Sequence, residues 1–143
     1  MKIGSLAKMG VHFASTAHVS AYRLFGGRVA MGERTLLLTT RGRKTGKENT
    51  KPLFYVEDSG RLYIVASYGG NDAPPAWYLN LTANPEVTVE VGSSKRSYLA
   101  RSMPPAQAEK IWPKLLKMYP TYADYQKQTT RVIPVVELSA EGA

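Results

Sequence analysis

The sequence contains no cysteine, which excludes disulfides, thiolate nucleophiles and cysteine-ligated metal sites. Its two histidines, His12 and His18, both lie near the N-terminus. Little remains from which to build a zinc centre or a Ser-His-Asp triad, and no metal site is expected. No apolar run approaches the length of a transmembrane helix, and Lys8 and His12 interrupt the one stretch that opens like a signal peptide. Internal repeats, low-complexity tracts and interdomain linkers are missing too. These absences point to one ordinary domain, expected in the cytoplasm, in which any chemistry is carried by a bound cofactor.

Acidic residues are scarce in the first third. Residues 1–51 hold ten of the nineteen Lys and Arg but only Glu33 and Glu48, whereas residues 52–143 hold nine of each sign. The net charge of +8 therefore resides entirely in the first 51 residues. That asymmetry suggests an anionic ligand or surface; a solvated basic face is the plainer alternative. Residues 5–24 read as a helix with Leu6, Met9, Phe13 and Ala17 along one stripe, ending near Gly26, Gly27 and Gly32. Such a helix packs on its own domain or, with Lys8, Arg23 and Arg28 beside the apolar stripe, lies on a membrane surface. The expected organisation is an N-terminal helix and linker, residues 1–32, followed by a β-rich domain, residues 33–143.

Six β-rich runs follow. They are "RTLLLTT" (34–40), "KPLFYVE" (51–57), "RLYIVAS" (61–67), "EVTVEV" (86–91), "KRSYLARSM" (95–103) and "RVIPVVELS" (131–139). Alternation in 86–91 places Val87, Val89 and Val91 on one face, as in a sheet with one face in a core. Prolines start, and Asn84-Pro85 stops, a short helix over 74–85. A longer helix is expected over 104–120, kinked or restarted at Pro113, with Ala108, Ile111, Leu115 and Met118 as its buried stripe. One or two further turns occupy 121–128. Hairpin-linked strands with one helical excursion argue for a small antiparallel barrel with peripheral helices, mainly β, rather than a βαβ fold.

The most charged segment is "GRKTGKENTKP" (42–52). It is not a Walker loop, because Gly42 and Gly46 enclose three residues and Lys47 is followed by Glu48 instead of a hydroxyl. No G-x-G-x-x-G opens a helix either. What remains is a Gly-bounded turn carrying Arg43, Lys44 and Lys47, which suits a phosphate or carboxylate held by backbone amides and cations. A basic hairpin tip that keeps a sheet edge soluble fits the local chemistry equally well. Downstream, Ser67-Tyr68-Gly69-Gly70 lies between a strand and a helix, where amides and a helix N-terminus can receive a second polar group. Trp77 and Asn80 follow on that helix, a place where tryptophan is usually core. Tyr119, Tyr122 and Tyr125 recur at intervals of three and share a face if helical. They serve either as half-buried packing or as phenols that stack on a flat ring.

Taken together, "LLLTTRGRKTG", "ASYGGNDAPPAWYLNLTANP" and "MYPTYADYQ…TTRVIPVVEL" resemble the deazaflavin-dependent nitroreductase family, the actinobacterial flavin/deazaflavin oxidoreductases of class A. The resemblance spans about residues 33–138. It implies a split β-barrel of the FMN-binding, pyridoxamine-phosphate-oxidase-like kind, and coenzyme F420, an 8-hydroxy-5-deazaflavin with a phosphodiester and an oligoglutamate tail. In that family pattern Arg43, Lys44 and Thr45 hold the phosphate end, with Lys47 and Lys51 near the acidic tail. Pro52, Ala66, Ser67, Tyr68, Gly69, Gly70, Trp77 and Asn80 shape the ring and ribityl pocket. Phe54, Tyr119, Tyr122 and Tyr125 match the substrate side.

The implied activity is hydride transfer from reduced F420 to a small electrophilic acceptor, a quinone, activated enone or nitro compound. Tyr122 or Ser67 would steady developing negative charge or relay a proton. Three positions depart from the family pattern: Asn49 stands where Arg is common, Tyr68 where Lys is common, and Phe54 where the nitroimidazole-activating enzyme has Tyr. The alternatives that remain are an FMN-binding or haem-degrading split barrel, a cofactor carrier without turnover, and a nucleic-acid-binding barrel. The last is disfavoured because the tyrosines lie outside the basic third. A membrane-soluble acceptor would give residues 1–24 a purpose at the inner face of the membrane, and oligomeric state is left open.

Overall fold

A computed structural model describes residues 35–141. The helix expected over 5–24, its membrane contact and the boundary at residue 32 lie outside the described residues. Seven strands form one antiparallel sheet: β1 (Thr35–Arg41), β2 (Glu48–Phe54), β3 (Val56–Asp58), β4 (Arg61–Val65), β5 (Glu86–Val91), β6 (Ser94–Ser102) and β7 (Val135–Ala140). Three helices accompany it: α1 (Ala76–Ala83), α2 (Pro105–Met118) and α3 (Thr121–Lys127). The order across the sheet is β2-β1-β5-β6-β7-β4-β3.

That order places β2 and β3 at opposite edges, although only Tyr55 separates them in the chain. One residue cannot bridge a flat seven-stranded sheet, because neighbouring strands stand ~4.8 Å apart and two residue steps reach about 7 Å. The sheet must curl until its edges meet, and the result is the expected split barrel. The sequence run 51–57 is accordingly two strands. Its first part pairs with β1, Thr35 opposite Phe54, and its second pairs with β4, Val56 opposite Tyr63.

Alternation along the strands separates two cores. Leu36 and Leu38 of β1, Leu62 and Ile64 of β4, Val87 and Val89 of β5, Ala100 of β6, and Val136 and Leu138 of β7 point into the barrel. Tyr55 is buried there at 7% exposure, and Trp77 and Leu81 of α1 plug the same core. The opposite faces of β3, β4 and β7 contribute Val56, Tyr63, Val65 and Val135 to a second core under α2 and α3. Ala108, Ile111 and Leu115 are its buried helical stripe, and Met118 packs half-buried at the end.

Pro104 and Pro105 start α2, as the sequence indicates. Pro113 does not divide it: the helix runs unbroken to Met118. The carbonyl this proline leaves without a backbone donor belongs to Glu109, on the exposed side, where water can reach it. The last strand is shorter than its sequence run, since Arg131–Pro134 pass outside the ladder and β7 begins at Val135.

Leu115 is fully buried where α2 meets the sheet. Replacing it with alanine should lower the unfolding free energy by about 2–5 kcal/mol in urea denaturation. Lys117→Ala on the exposed side of the same helix should stay within about 0.5 kcal/mol. Equal effects would mean that α2 does not pack as described.

Candidate functional site

The cationic loop is a tight, internally bonded turn. The Gly42 N–H donates to the Lys47 carbonyl at 2.8 Å, and the Gly46 N–H to the Gly42 carbonyl at 2.9 Å. The Thr45 hydroxyl accepts the Lys47 N–H at 3.2 Å. A Cβ on Gly42 would come within 2.9 Å of that hydroxyl, so a side chain there would force Thr45 to shift. Lys44 and Lys47 project into solvent.

Arg43 is not merely a surface charge. Its main-chain N–H and its Nη1 both donate to Asn80 Oδ1, at 3.2 and 2.9 Å. Asn80 is 4% exposed, and its amide donates to Thr40 Oγ1 at 3.3 Å. A buried amide on α1 thus fastens the loop to the end of β1 and orients the Arg43 guanidinium. Lys51 lies on β2 opposite Leu38 of the interior face, half-buried, and burial holds its ammonium below the usual lysine range. Pro52, opposite Leu37, and Phe54, opposite Thr35, belong to the other face of β2.

The second element is a turn of unusual hand. Ser67 is right-handed, and Tyr68, Gly69 and Gly70 then have φ of +46°, +61° and +78°. For tyrosine this region costs about 1–3 kcal/mol and persists only where neighbours enforce it. A right-handed residue followed by a left-handed one turns successive N–H groups to one side, a geometry that receives oxyanions and carbonyls. Ser67 and Ala66 are buried at its start. At its end Asn71 Nδ2 is a buried donor with no partner among the described residues. A ligand acceptor would satisfy such a group.

Arg131 binds this turn from the other side. Its Nε donates to the Asn71 carbonyl at 2.9 Å, and its Nη2 to the carbonyls of Ser67 and Ala66 at 2.9 and 3.2 Å. Gly70 presses on α3 so closely that an added Cβ would meet the Tyr125 carbonyl at 2.8 Å.

The three tyrosines converge, but not as one helical stripe. Tyr119 ends α2 in extended conformation, and Tyr122 and Tyr125 lie on α3, which begins after Pro120. Their rings meet pairwise at 4.9, 6.2 and 6.4 Å, and Tyr119 packs edge-on against Phe54 at 5.1 Å. The Tyr119 and Tyr125 hydroxyls are 3.3 Å apart. Burial, reinforced by the neighbouring phenols, pushes the Tyr122 hydroxyl far above the ordinary tyrosine range. Burial and the Tyr119 contact push Tyr125 up to about 12. Both remain neutral hydrogen-bond donors across the physiological range. Tyr122 is 5% exposed beneath Trp112 and Tyr119, so its ring also serves the second core.

Among the residues singled out in the sequence, the structure brings Arg43 to Asn80, and Phe54 to the tyrosines. Trp77 is enclosed in the barrel core. Arg131, Asn71 and Thr40 had no assigned part in the sequence reading. Arg131 left the faintest signal, a lone cation just before a β-branched run.

A family model described as F420H(2)-dependent quinone reductase matches residues 14–139. An F420H(2)-dependent quinone reductase of Mycobacterium tuberculosis (strain ATCC 25618 / H37Rv) is 37% identical over 131 residues, covering 85% of this chain and 87% of that protein. A solved structure described as an F420-H2-dependent reductase (FDR-A) superimposes with a TM-score of 0.68 at 39% identity, over 74% of this chain and 94% of that one. Another, described as a domain-swapped dimer, has a TM-score of 0.70 at 34% identity and covers 87% of this chain and 97% of its own. With the model match spanning the loop, the turn and the tyrosines together, the chain belongs to the F420H(2)-dependent quinone reductase family.

Proposed function

We propose that the protein is an F420H2-dependent reductase that passes a hydride to a quinone, with activated enones and nitro compounds as acceptors of the same electrophilic kind. One observation carries the reading: α1 ties the cationic loop to the barrel through Asn80, and the turn leading into α1 is pressed against the backbone of α3, the helix that carries Tyr122 and Tyr125. A ligand with an anionic tail and a flat ring needs both environments on one scaffold. The residues suit F420 in charge as well. Lys44 and Lys47 are exposed cations for the phosphate and tail, and Arg43 keeps guanidinium donors beyond the one given to Asn80. Thr45 and Lys51 belong to the same end in this reading.

When bound, reduced deazaflavin supplies the hydride. The chain's own part is to hold and orient. Ser67, Tyr68, Gly69 and Gly70 would receive the ring edge and ribityl chain, Asn71 Nδ2 would gain an acceptor, and Pro52, Ala66 and Trp77 would give the site its rigid walls. Phe54, Tyr119 and Tyr125 would stack the acceptor. Ser67 and Tyr122 would donate hydrogen bonds to its developing negative charge, Tyr122 as a phenol that burial keeps protonated. Aromatic walls on the acceptor side also exclude water from the transfer.

Fluorescence titration of the protein with F420 and, separately, with FMN tests the cofactor. Binding of F420 in preference is expected, with about tenfold weaker affinity in Lys44→Ala, the loss of one charge-assisted contact. FMN binding without F420 binding would replace the hydride donor while leaving the barrel.

Tyr122 and Tyr125 give a pH prediction. Because their folded pKa values are raised, the proton is retained to higher pH. Quinone reduction at saturating reduced cofactor should then show no tyrosine-dependent limb between pH 7 and about 10. Stability contributed by the neutral phenols is fully present below about pH 10 and is lost as pH rises toward 12 and beyond, less steeply in Tyr122→Phe. A rate decline near pH 9 that disappears in Tyr122→Phe would assign Tyr122 an acid role at odds with its burial.

Contact of residues 1–24 with a membrane surface belongs to the same proposal, since it would bring the site to a lipid-soluble quinone. Co-sedimentation with anionic liposomes should fall when residues 1–24 are removed. Unchanged binding would count against it.

A further inference from the structure

The cluster around Arg131 lies beside the site but makes no part of it in the reading above. Its three guanidinium bonds all go to backbone carbonyls, and these flank the left-handed turn on both sides: Ala66 and Ser67 before it, Asn71 after it. The Ser67 carbonyl is also the acceptor that closes the turn, taking the Gly70 N–H at 3.0 Å. Arg131 therefore bonds to the same oxygen on which the turn's own hydrogen bond depends.

The anchor is itself anchored to α3. Gln126 donates through Nε2 to the Arg131 carbonyl at 2.8 Å and accepts the Ile133 N–H through Oε1 at 2.9 Å. The Thr129 hydroxyl accepts the Arg131 N–H at 3.3 Å. Gln126 neighbours Tyr125 and follows Tyr122 by one helical turn, so the segment that carries Arg131 is pinned to the helix that carries the phenols. On the far side of the same junction, Gly70 leaves no room between the turn and the Tyr125 carbonyl. Burial holds the Arg131 guanidinium below the ordinary arginine range, and Asp72 lies near enough to oppose that shift.

We infer that Arg131 is a positioning residue that latches the left-handed Tyr68–Gly70 turn to α3 and so fixes the turn's amides relative to the phenols. As a role in the reaction, this rests on the proposed cofactor reading. Tyr68 occupies a backbone region that tyrosine avoids, and the latch supplies the external bonds that hold it there. A planar fork with a fixed spread of N–H donors can satisfy carbonyls on both sides of a turn; a lysine ammonium is a point charge that cannot span them in the same way. Hydride transfer is sensitive to placement, and displacement by about 1 Å can cost 10²-fold in rate. Gly70 and Arg131 are then two parts of one device, a close approach and a clamp.

Amide hydrogen exchange of the protein without cofactor, comparing wild type with Arg131→Lys, reads the latch directly. The Gly70 and Asn71 amides, which donate to the Ser67 and Tyr68 carbonyls, should exchange about tenfold faster in the variant. Amides of β1 and β5 should be unchanged. In parallel, F420 affinity should fall about tenfold in Arg131→Lys. In Arg131→Ala, added methylguanidinium should recover part of that affinity where methylammonium does not. Lys44→Ala, which lies outside the latch, should leave exchange at the turn as in wild type. Unchanged exchange at Gly70 and Asn71 overturns the inference, and so does faster exchange throughout the barrel, which would make Arg131 a general stabiliser. If wild type does not bind F420 while the local exchange result holds, the latch stands and the cofactor reading fails.

Discussion

The architecture depends on one covalent constraint: the two edge strands of the sheet are joined through a single residue, Tyr55. A chain that leaves one edge at Phe54 and begins the other at Val56 forces the sheet to curl, whatever its other contacts. Closure determines what the faces of every strand become. Residues such as Leu36, Leu38, Ile64 and Val136 turn inward, while Tyr63, Val65 and Val135 are left on an outer face that needs a cover. The α2–α3 pair is that cover. The phenol cluster thus stands at the margin of a packing solution, next to Phe54 at the end of β2.

The same closure explains how distant parts of the sequence meet in one site. The cationic loop joins β1 to β2 at one edge region, and Asn80 ties it back to α1, which fills the barrel end. The turn at 67–70 leaves β4 and leads into α1. The tyrosines come from the helices laid over β4 and β7. Burial pushes the Tyr122 and Tyr125 phenols toward permanent protonation. In the proposed reading the protein's contribution is geometric and dielectric: cations for a tail, converging amides for a ring edge, and apolar walls with neutral donors for an acceptor.

Much of this was legible in the sequence because it was periodic or punctuated. Alternation announced β5, prolines announced the starts of α1 and α2, and asymmetry of charge drew attention to residues 42–47. Failures occurred where tertiary context overrides local pattern. The run 51–57 has uniform strand character, and nothing local says that Tyr55 passes between sheet edges. Pro113 reads as a kink or a restart; the helix does not restart there, because Pro113 sits on an exposed face where a missing N–H costs little and the buried stripe carries the helix through. The tyrosine spacing suggested one helical face; their meeting instead comes from a bend at Tyr119 that folds two short helices together.

Arg131 and Asn80 share a logic that no periodicity encodes. Each is a polar side chain whose hydrogen bonds serve another segment's conformation: Asn80 fixes the loop through Arg43, and Arg131 fixes the turn through three carbonyls. In the proposed site, to which no strong acid, base or nucleophile is assigned, the rate would depend largely on placement. Placement is set by residues that need not touch the ligands. Sequence motifs expose the cationic loop first, because its glycines and cations are conspicuous. The residues that hold such a loop in place become visible only when the fold puts a carbonyl at 2.9 Å from a guanidinium.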